Sequence, residues 1–81
     1  MHLTLYSKPD CHLCDEMKAV VRNVLRGRAE ISLDDIDISN DPALIDRYGL
    51  EIPVLLIDGK KAAKYRVTEA ELARMIDARR S

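Results

Sequence analysis

Residues 6–14 of this chain read Tyr6-Ser7-Lys8-Pro9-Asp10-Cys11-His12-Leu13-Cys14, and this stretch decides the fold. The residues that lead into it, 2–6, alternate weakly between polar and apolar side chains and predict a strand. After it, apolar residues recur at helical spacing up to Leu25, which predicts a helix that Asp10 caps and Gly27 ends. The two cysteines therefore lie where a first strand passes into a first helix.

Two elements follow this first strand and helix. Apolar residues within 31–38 predict a second strand, although the apolar phase changes at residues 34–35. Asp41 as N-cap, with a proline next to it, begins a short second helix that ends at Gly49. The predicted apolar face of that helix consists of Leu44, Ile45 and Tyr48.

The remaining residues predict a hairpin and a helix. Residues 54–57 form a continuous apolar run, which is typical of a central strand covered on both faces. Asp58-Gly59 is the strongest hairpin signal in the chain, so residues 61–65 should return as an edge strand. Thr68 and Glu71 have the spacing of a capping box, which begins the last helix.

The predicted order of elements is β-α-β-α-β-β-α, with the last helix running to about Arg79. The first β-α-β unit requires a parallel crossover, whereas the closing hairpin is antiparallel. A four-stranded mixed sheet with helices on both faces satisfies both conditions, so the predicted fold class is α/β. At 81 residues the chain can bury one modest core, and we expect a single domain over residues 1–81.

The composition excludes several classes of protein. Apolar residues make up 47% of the chain, and no apolar run approaches the roughly 18 residues that a membrane span needs. A formal net charge of −1, with no Phe or Trp, argues against a nucleic-acid-binding surface. The first residues lack the basic region and apolar stretch that are typical of a secretory signal. We therefore expect a cytoplasmic monomer that binds neither membrane nor nucleic acid.

The spacing of the two cysteines is the most informative feature of the composition. A small secreted protein stapled by disulfides usually has about four or more cysteines, widely spaced. A thiolate on Cys11 would lie against the positive end of the helix and its unpaired N–H groups, which favour the charged form. Cys14 is one turn deeper on the same helix face, where it can reach Cys11 but is better shielded. Cys11 is therefore the predicted nucleophile and Cys14 the predicted resolving thiol.

Other interpretations of these residues stay open. The cysteines could be small core residues, or half of a zinc site that only His2 and His12 could complete. His12 could stabilise a thiolate as an imidazolium, or it could simply face solvent. Asp10 would oppose thiolate formation on Cys11 if its charge points at the sulfur, and less so if it caps the helix. We predict His12 and Asp10 as modulators of the acidity of Cys11.

Two segments resemble the glutaredoxins, a family with the thioredoxin fold. Residues 6–14 are similar to the glutaredoxin active-site segment. Residues 52–60 are similar to the second landmark of the family, which is a hydrophobic residue, a cis-proline, a strand and a turn. The resemblance extends over about residues 3–77 in order and spacing. It implies a thioredoxin-like, glutaredoxin-type fold and a redox pair made by Cys11 and Cys14.

The resemblance also implies further site residues. Pro53 should be cis and should face Cys11, the alternative being an ordinary trans proline at the start of a strand. The backbone of Ile52 would then stay free to pair with a peptide-like substrate. Lys8 matches the family lysine that favours the thiolate and binds a substrate carboxylate, although it could equally be a solvated loop residue.

The chain departs from the family pattern at two places. His12 and Leu13 stand where glutaredoxins usually have a proline and an aromatic residue. Ala63-Lys64 and Arg66-Val67 replace a glycine pair and an acidic pair that hold the glutamyl end of glutathione. Side chains then fill the space that the ligand would occupy, and the charge that faces its ammonium group is reversed. We therefore expect weak dependence on glutathione. These departures resemble a small bacterial glutaredoxin-like subgroup with a C-H-L-C motif.

These features predict a thiol–disulfide oxidoreductase that acts on a protein or small-molecule disulfide. We expect no metal or organic cofactor, with glutathione as a conceivable co-substrate and a thioredoxin or glutathione system as the reductant. A basic cluster near the hairpin would select an acidic protein partner, unless it is only solvated surface. This cluster consists of Lys60, Lys61, Lys64 and Arg66. The alternatives are a non-catalytic binding module with the same fold, or a carrier of zinc or an iron–sulfur cluster through Cys11.

Overall fold

The computed structural model describes residues 1–80 of the chain. It contains the predicted elements in the predicted order. The strands are β1 (His2–Ser7), β2 (Ser32–Asp37), β3 (Val54–Ile57) and β4 (Lys60–Lys64), and the helices are α1 (His12–Leu25), α2 (Pro42–Tyr48) and α3 (Glu69–Arg80). Within the described residues, no helix is both long and apolar enough to span a membrane.

The strands form one mixed sheet in the order β2-β1-β3-β4. β1 and β2 are parallel, in an unbroken register that ends with Ser7 opposite Asp37. β3 is antiparallel to both β1 and β4, and a bulge interrupts its pairing with β4 between Leu55 and Leu56. The mixed α/β sheet that the sequence predicts is therefore confirmed, with β1 and β3 central and β2 and β4 at the edges.

The main core lies between one face of the sheet and two helices. Alternate residues of the central strands point into it, and α1 and α3 each contribute an apolar stripe. Its buried members are Leu3, Leu5, Met17, Val21, Ile31, Leu55, Ile57, Leu72 and Ile76. Because burial of one side chain of this kind contributes about 1.5–3 kcal/mol, this cluster is the main source of stability.

The opposite face of the sheet is covered by α2, so helices lie on both faces as predicted. Tyr48 of this helix is buried with Val54 and Leu56, and its ring stacks on Tyr6 with the ring centroids 4.9 Å apart. The prediction that Ile45 belongs to this apolar face is wrong, because its side chain is 44% exposed. The residue four positions before Tyr48 is rotated about 40° from it round the helix, whereas Ile45 is rotated about 60° in the opposite direction, towards solvent.

The β3–β4 hairpin turns where the sequence predicts. Asp58 and Gly59 have φ values of 49° and 83°, and two consecutive positive φ values are those of a two-residue type I′ turn. β4 occupies residues 60–64 instead of the predicted 61–65, because Tyr65 has a φ of 67° and leaves the extended conformation.

Local hydrogen bonds begin α2 and α3 at the predicted residues. Oδ1 of Asp41 accepts the first free N–H groups of α2, at 3.1 Å. The Glu71 N–H donates to Thr68 Oγ1 at 3.1 Å, and the Thr68 N–H donates to Glu71 Oε1 at 3.0 Å, which completes the capping box of α3. Hydrogen bonding to Thr68, first to its side chain and then to its backbone, keeps the pKa of Glu71 below its ordinary value.

Thr68→Ala should lower the free energy of unfolding by about 1 kcal/mol, because the variant loses the side chain that caps α3. The pKa of Glu71 should rise towards its ordinary value in the same variant. Urea denaturation measures the first quantity, and an NMR pH titration of the Glu71 carboxyl carbon measures the second. Thr68→Ser keeps the hydroxyl and is the matched control, so an equal loss of stability in that variant would show that the cap is not the cause.

Candidate active site

Cys11 is the N-cap of α1. Its backbone is extended, with φ −112° and ψ 107°, and its Sγ accepts the N–H of Cys14 at 3.1 Å. The prediction that Asp10 caps this helix is wrong. Asp10 lies one residue too early and has a left-handed backbone with φ 56°. The N–H of Cys14 is therefore bound by the sulfur of Cys11 and not by the carboxylate of Asp10.

The two cysteines form a disulfide with each other. Their Cα atoms are 5.2 Å apart, within the range of about 4.4–6.8 Å that disulfides usually span. Their exposure differs, since Cys14 is 1% exposed and Cys11 is only partly buried. A pair with one reachable and one shielded sulfur can react with an external disulfide and then close on itself.

A small apolar cluster surrounds the disulfide. Cys14, Ile38 and Ile52 are its buried members, and Cys11 packs against them. The pairing of strands explains why Ile52 is there, because Tyr6 near the end of β1 lies opposite Val54 at the start of β3. The segment just before β3 therefore lies at the same end of the sheet as the segment just after β1.

The segment before β3 contains the cis peptide bond that the resemblance implies, between Ile52 and Pro53. Neither the backbone N–H nor the C=O of Ile52 has a hydrogen-bond partner among residues 1–80. A backbone donor and a backbone acceptor thus stay unpaired beside the cysteines. The substrate-binding role of Ile52 and Pro53 itself stays a prediction.

The other predicted site residues lie on the surface near the start of α1. Lys8 and Asp10 are exposed and line a cavity of about 230 Å³. The side chain of His12 is 88% exposed, and its Nε2 lies 3.4 Å from Oε1 of Glu16 on the next turn. The roles of Lys8, Asp10 and His12 towards the sulfur of Cys11 stay predictions.

The histidines do not complete a metal site with the cysteines. Nδ1 of His2 lies 2.6 Å from the hydroxyl of Ser32, and its Nε2 lies 3.0 Å from a carboxylate oxygen of Asp34, so its ring belongs to the β1–β2 pair. In the part of the chain that the structure describes, no group of three or more His, Cys, Asp or Glu side chains could hold a metal ion.

A polar contact that the sequence analysis missed holds the end of β1. Ser7 is buried, and its Oγ donates to Oδ1 of Asp35 at 3.1 Å. The other carboxylate oxygen of Asp35 pairs with Nζ of Lys18 at 2.8 Å. These contacts join β1, β2 and α1 immediately before the loop that leads to Cys11. The only sequence signal for them is the change of apolar phase at residues 34–35.

The strand–cysteine–helix junction and the cis-proline segment match a known family. The family model described as Glutaredoxin-like domain (DUF836) matches residues 2–77. This chain belongs to that family. A curated relative from Dictyostelium discoideum, the glutaredoxin-like protein YDR286C homolog, is 27% identical over 77 residues, which cover 89% of this chain and 71% of the relative.

Solved structures share the fold of this glutaredoxin-like domain. Protein XcR50 from X. campestris is 35% identical, with a TM-score of 0.70, and the match covers 94% of this chain and 96% of that one. Thioredoxin-2, a component of malaria parasite protein secretion machinery, is 16% identical with a TM-score of 0.72, covering 95% and 81%. At that identity the thioredoxin shows the fold alone. The family and the Cys11–Cys14 pair together support a redox-type role.

The basic cluster of this glutaredoxin-like domain is partly neutralised by Glu51. This residue directly precedes Ile52, and its carboxylate pairs with Lys61 and lies 3.5 Å from Nζ of Lys64. The hydrogen bond from Lys61 is the largest reason why the pKa of Glu51 lies below its ordinary value. Lys60 and Arg66 form no ion pair within residues 1–80. Two of the four cations predicted to select an acidic partner are therefore already paired.

Lys61→Met should raise the pKa of Glu51 towards its ordinary value, and Lys64→Met should raise it less, because Lys61 makes the stronger hydrogen bond. Since folding lowers this pKa, the link between Glu51 and β4 is complete above the ordinary carboxyl pKa and is lost as the pH falls through the lowered value. An NMR pH titration of the Glu51 carboxyl carbon measures both effects. Lys60→Met removes an unpaired charge from β4, and an equal shift in that variant would contradict direct pairing.

Proposed function

We propose that this protein is a thiol–disulfide oxidoreductase in which Cys11 attacks the substrate and Cys14 resolves the product. The proposal is carried by the asymmetry of the pair. The sulfur of Cys11 is reachable at the N-cap of α1 and already accepts a backbone N–H, whereas Cys14 is buried one turn further into the helix.

The reaction consists of two exchange steps. In the first, the thiolate of Cys11 bonds to one sulfur of the substrate disulfide, and the other substrate sulfur leaves with the electron pair and takes up a proton. In the second, the thiol of Cys14 loses its proton and attacks Sγ of Cys11, so that the mixed disulfide breaks and the second substrate thiol leaves. The substrate gains two electrons and two protons, the cysteine pair loses them, and an external dithiol reductant restores the pair.

The position of Cys11 favours its thiolate. An anion at the N-terminus of a helix lies at the positive end of the helix dipole. The N–H of Cys14 that points at this sulfur becomes a charge-assisted hydrogen bond once the sulfur is ionised. The hydrogen bond from this N–H acts on the sulfur of Cys11 alone, which supports Cys11 as the attacking residue.

We infer that the substrate is a protein disulfide, that glutathione is a poor co-substrate and that a thioredoxin-type system is the reductant. A cavity of about 570 Å³ beside α3 is lined by Ala63, Lys64 and Arg66, which by resemblance match the positions that hold glutathione in glutaredoxins. Glu71, the carboxylate in its wall, is already engaged by Thr68 in the capping box. The ammonium group of glutathione, on entering this cavity, would therefore meet the positive charges of Lys64 and Arg66. No carboxylate in the wall would be free to pair with it.

Cys11→Ser should abolish disulfide exchange, whereas Cys14→Ser should accumulate a mixed disulfide, because attack survives in that variant and resolution does not. Mass spectrometry of each variant after reaction with a model disulfide detects the adduct. The wild type is the control and should end with its internal disulfide and no adduct. An adduct on Cys11→Ser but not on Cys14→Ser would reverse the two roles.

Turnover supported by glutathione and glutathione reductase should be at least about tenfold slower than turnover supported by thioredoxin and thioredoxin reductase, because a charged partner is lost and a like charge is gained. A coupled assay with each system measures both rates. The combined variant Ala63→Gly, Lys64→Gly, Arg66→Asp should gain glutathione turnover.

Lys60→Asp is the control for this variant, because it makes the same kind of charge change outside the walls of that cavity. Rapid turnover of the wild type with glutathione would refute the proposed preference. No gain in the combined variant would show that those positions do not line the glutathione groove.

A further inference from the structure

Tyr65 has a backbone conformation that tyrosine rarely adopts. Its φ is 67°, and across it the N–H of Arg66 donates to the carbonyl of Lys64 at 2.8 Å, which closes a three-residue γ-turn. A bulky side chain in this left-handed region is strained, and such a conformation persists only where surrounding contacts hold it. The contacts of Tyr65 therefore indicate which part of the molecule this turn stabilises.

Two hydrogen bonds join Tyr65 to the segment beside the cysteines, residues 50–53, which we call the docking loop. The backbone N–H of Tyr65 donates to the carbonyl of Pro53 at 2.8 Å, and its phenol donates to the carbonyl of Leu50 at 3.0 Å. Tyr65 thus holds the docking loop at both of its ends, and the carboxylate of Glu51 ties the middle of the loop to β4.

The docking loop presents the unpaired backbone groups of Ile52 next to Cys11. A peptide that pairs with this backbone as an added strand needs a donor and an acceptor in fixed directions, at the strand spacing of about 4.8 Å. A small disulfide needs only a route to the sulfur of Cys11. Exact placement of the loop therefore matters for a peptide and hardly matters for a small disulfide.

We propose that Tyr65 is a positioning residue that fixes the docking loop for an extended peptide segment of the substrate, a step that rests on the proposed function. Leu50, whose carbonyl accepts the phenol, is 94% exposed. It is two positions from Ile52, so the Cα atoms of the two residues lie within about 7 Å of each other. Leu50 offers an apolar contact to the same peptide. The preferred substrate is a protein disulfide with an apolar residue near the cysteine that Cys11 attacks.

Tyr65→Phe removes only the phenol hydrogen bond to Leu50, because the ring and the backbone N–H stay. In single-turnover reactions of the fully reduced protein with insulin, its half-saturation concentration should rise about three- to tenfold, with an unchanged limiting rate. With bis(2-hydroxyethyl) disulfide the variant should react as fast as the wild type. Acid quenching followed by mass spectrometry measures both reactions.

Tyr48→Phe is the matched control, since the phenol of Tyr48 makes no hydrogen bond within residues 1–80, and it should match the wild type with both disulfides. An unchanged half-saturation concentration for insulin in Tyr65→Phe would overturn the proposal. Equal slowing with both disulfides would also overturn it, because the residue would then act on the sulfur and not on the docking loop.

A second readout separates this inference from the proposed function. A peptide with an apolar residue next to a serine, in place of the cysteine, cannot exchange disulfides but can still dock. Its titration should shift the NMR amide resonance of Ile52, and Tyr65→Phe should need about three- to tenfold more peptide for the same shift. If the wild type reacts with neither disulfide, the proposed function fails while this titration still decides the docking role. No shift of Ile52 in the wild type would refute the docking role itself.

Discussion

One hydrogen bond, from the N–H of Cys14 to the sulfur of Cys11, joins the two residues on which the proposed chemistry depends. A helix begins with backbone donors that have no partner, and here a sulfur accepts one of them where an oxygen usually does. The two cysteines differ in exposure because Cys11, as the cap, lies outside the helix, whereas Cys14 lies within its first turn and is buried. The Ser7–Asp35 contact joins β1 to β2 immediately before the loop that leads to that bond.

The candidate site has a second side, formed by the segment before β3, because of the order of the strands. β1 and β3 are antiparallel neighbours, so the chain enters β3 at the end of the sheet where it leaves β1. Ile52 comes to lie beside the cysteines although about forty residues separate it from them in sequence. Contacts from the hairpin, through Lys61 and Tyr65, then fix this segment from its outer side.

The parts of the fold that the sequence predicts correctly are those in which the contacting residues are only a few positions apart in the chain. The turn at Asp58-Gly59 is of this kind, since a tight turn needs only its own residues to be recognised. The prediction that Asp10 caps α1 was wrong because the side chains of Asp10 and Cys11 could both accept the same N–H. Only the backbone conformation decides between them. The links made by Glu51, Tyr65 and Asp35 span ten, fifteen and twenty-eight residues. Such contacts depend on strand register and bulges, which periodicity does not specify.

The disulfide lies in a small apolar cluster apart from the main core. Among residues 1–80 that cluster has three buried members, whereas the main core has nine. Opening it exposes few apolar side chains, so it requires only a fraction of the free energy of global unfolding. The two sulfurs already lie within bonding reach of each other, so exchange between Cys11 and Cys14 requires no solvent exposure of Cys14. The redox pair is thus separated from the nine buried side chains that stabilise the fold, and a change in its oxidation state involves none of them directly.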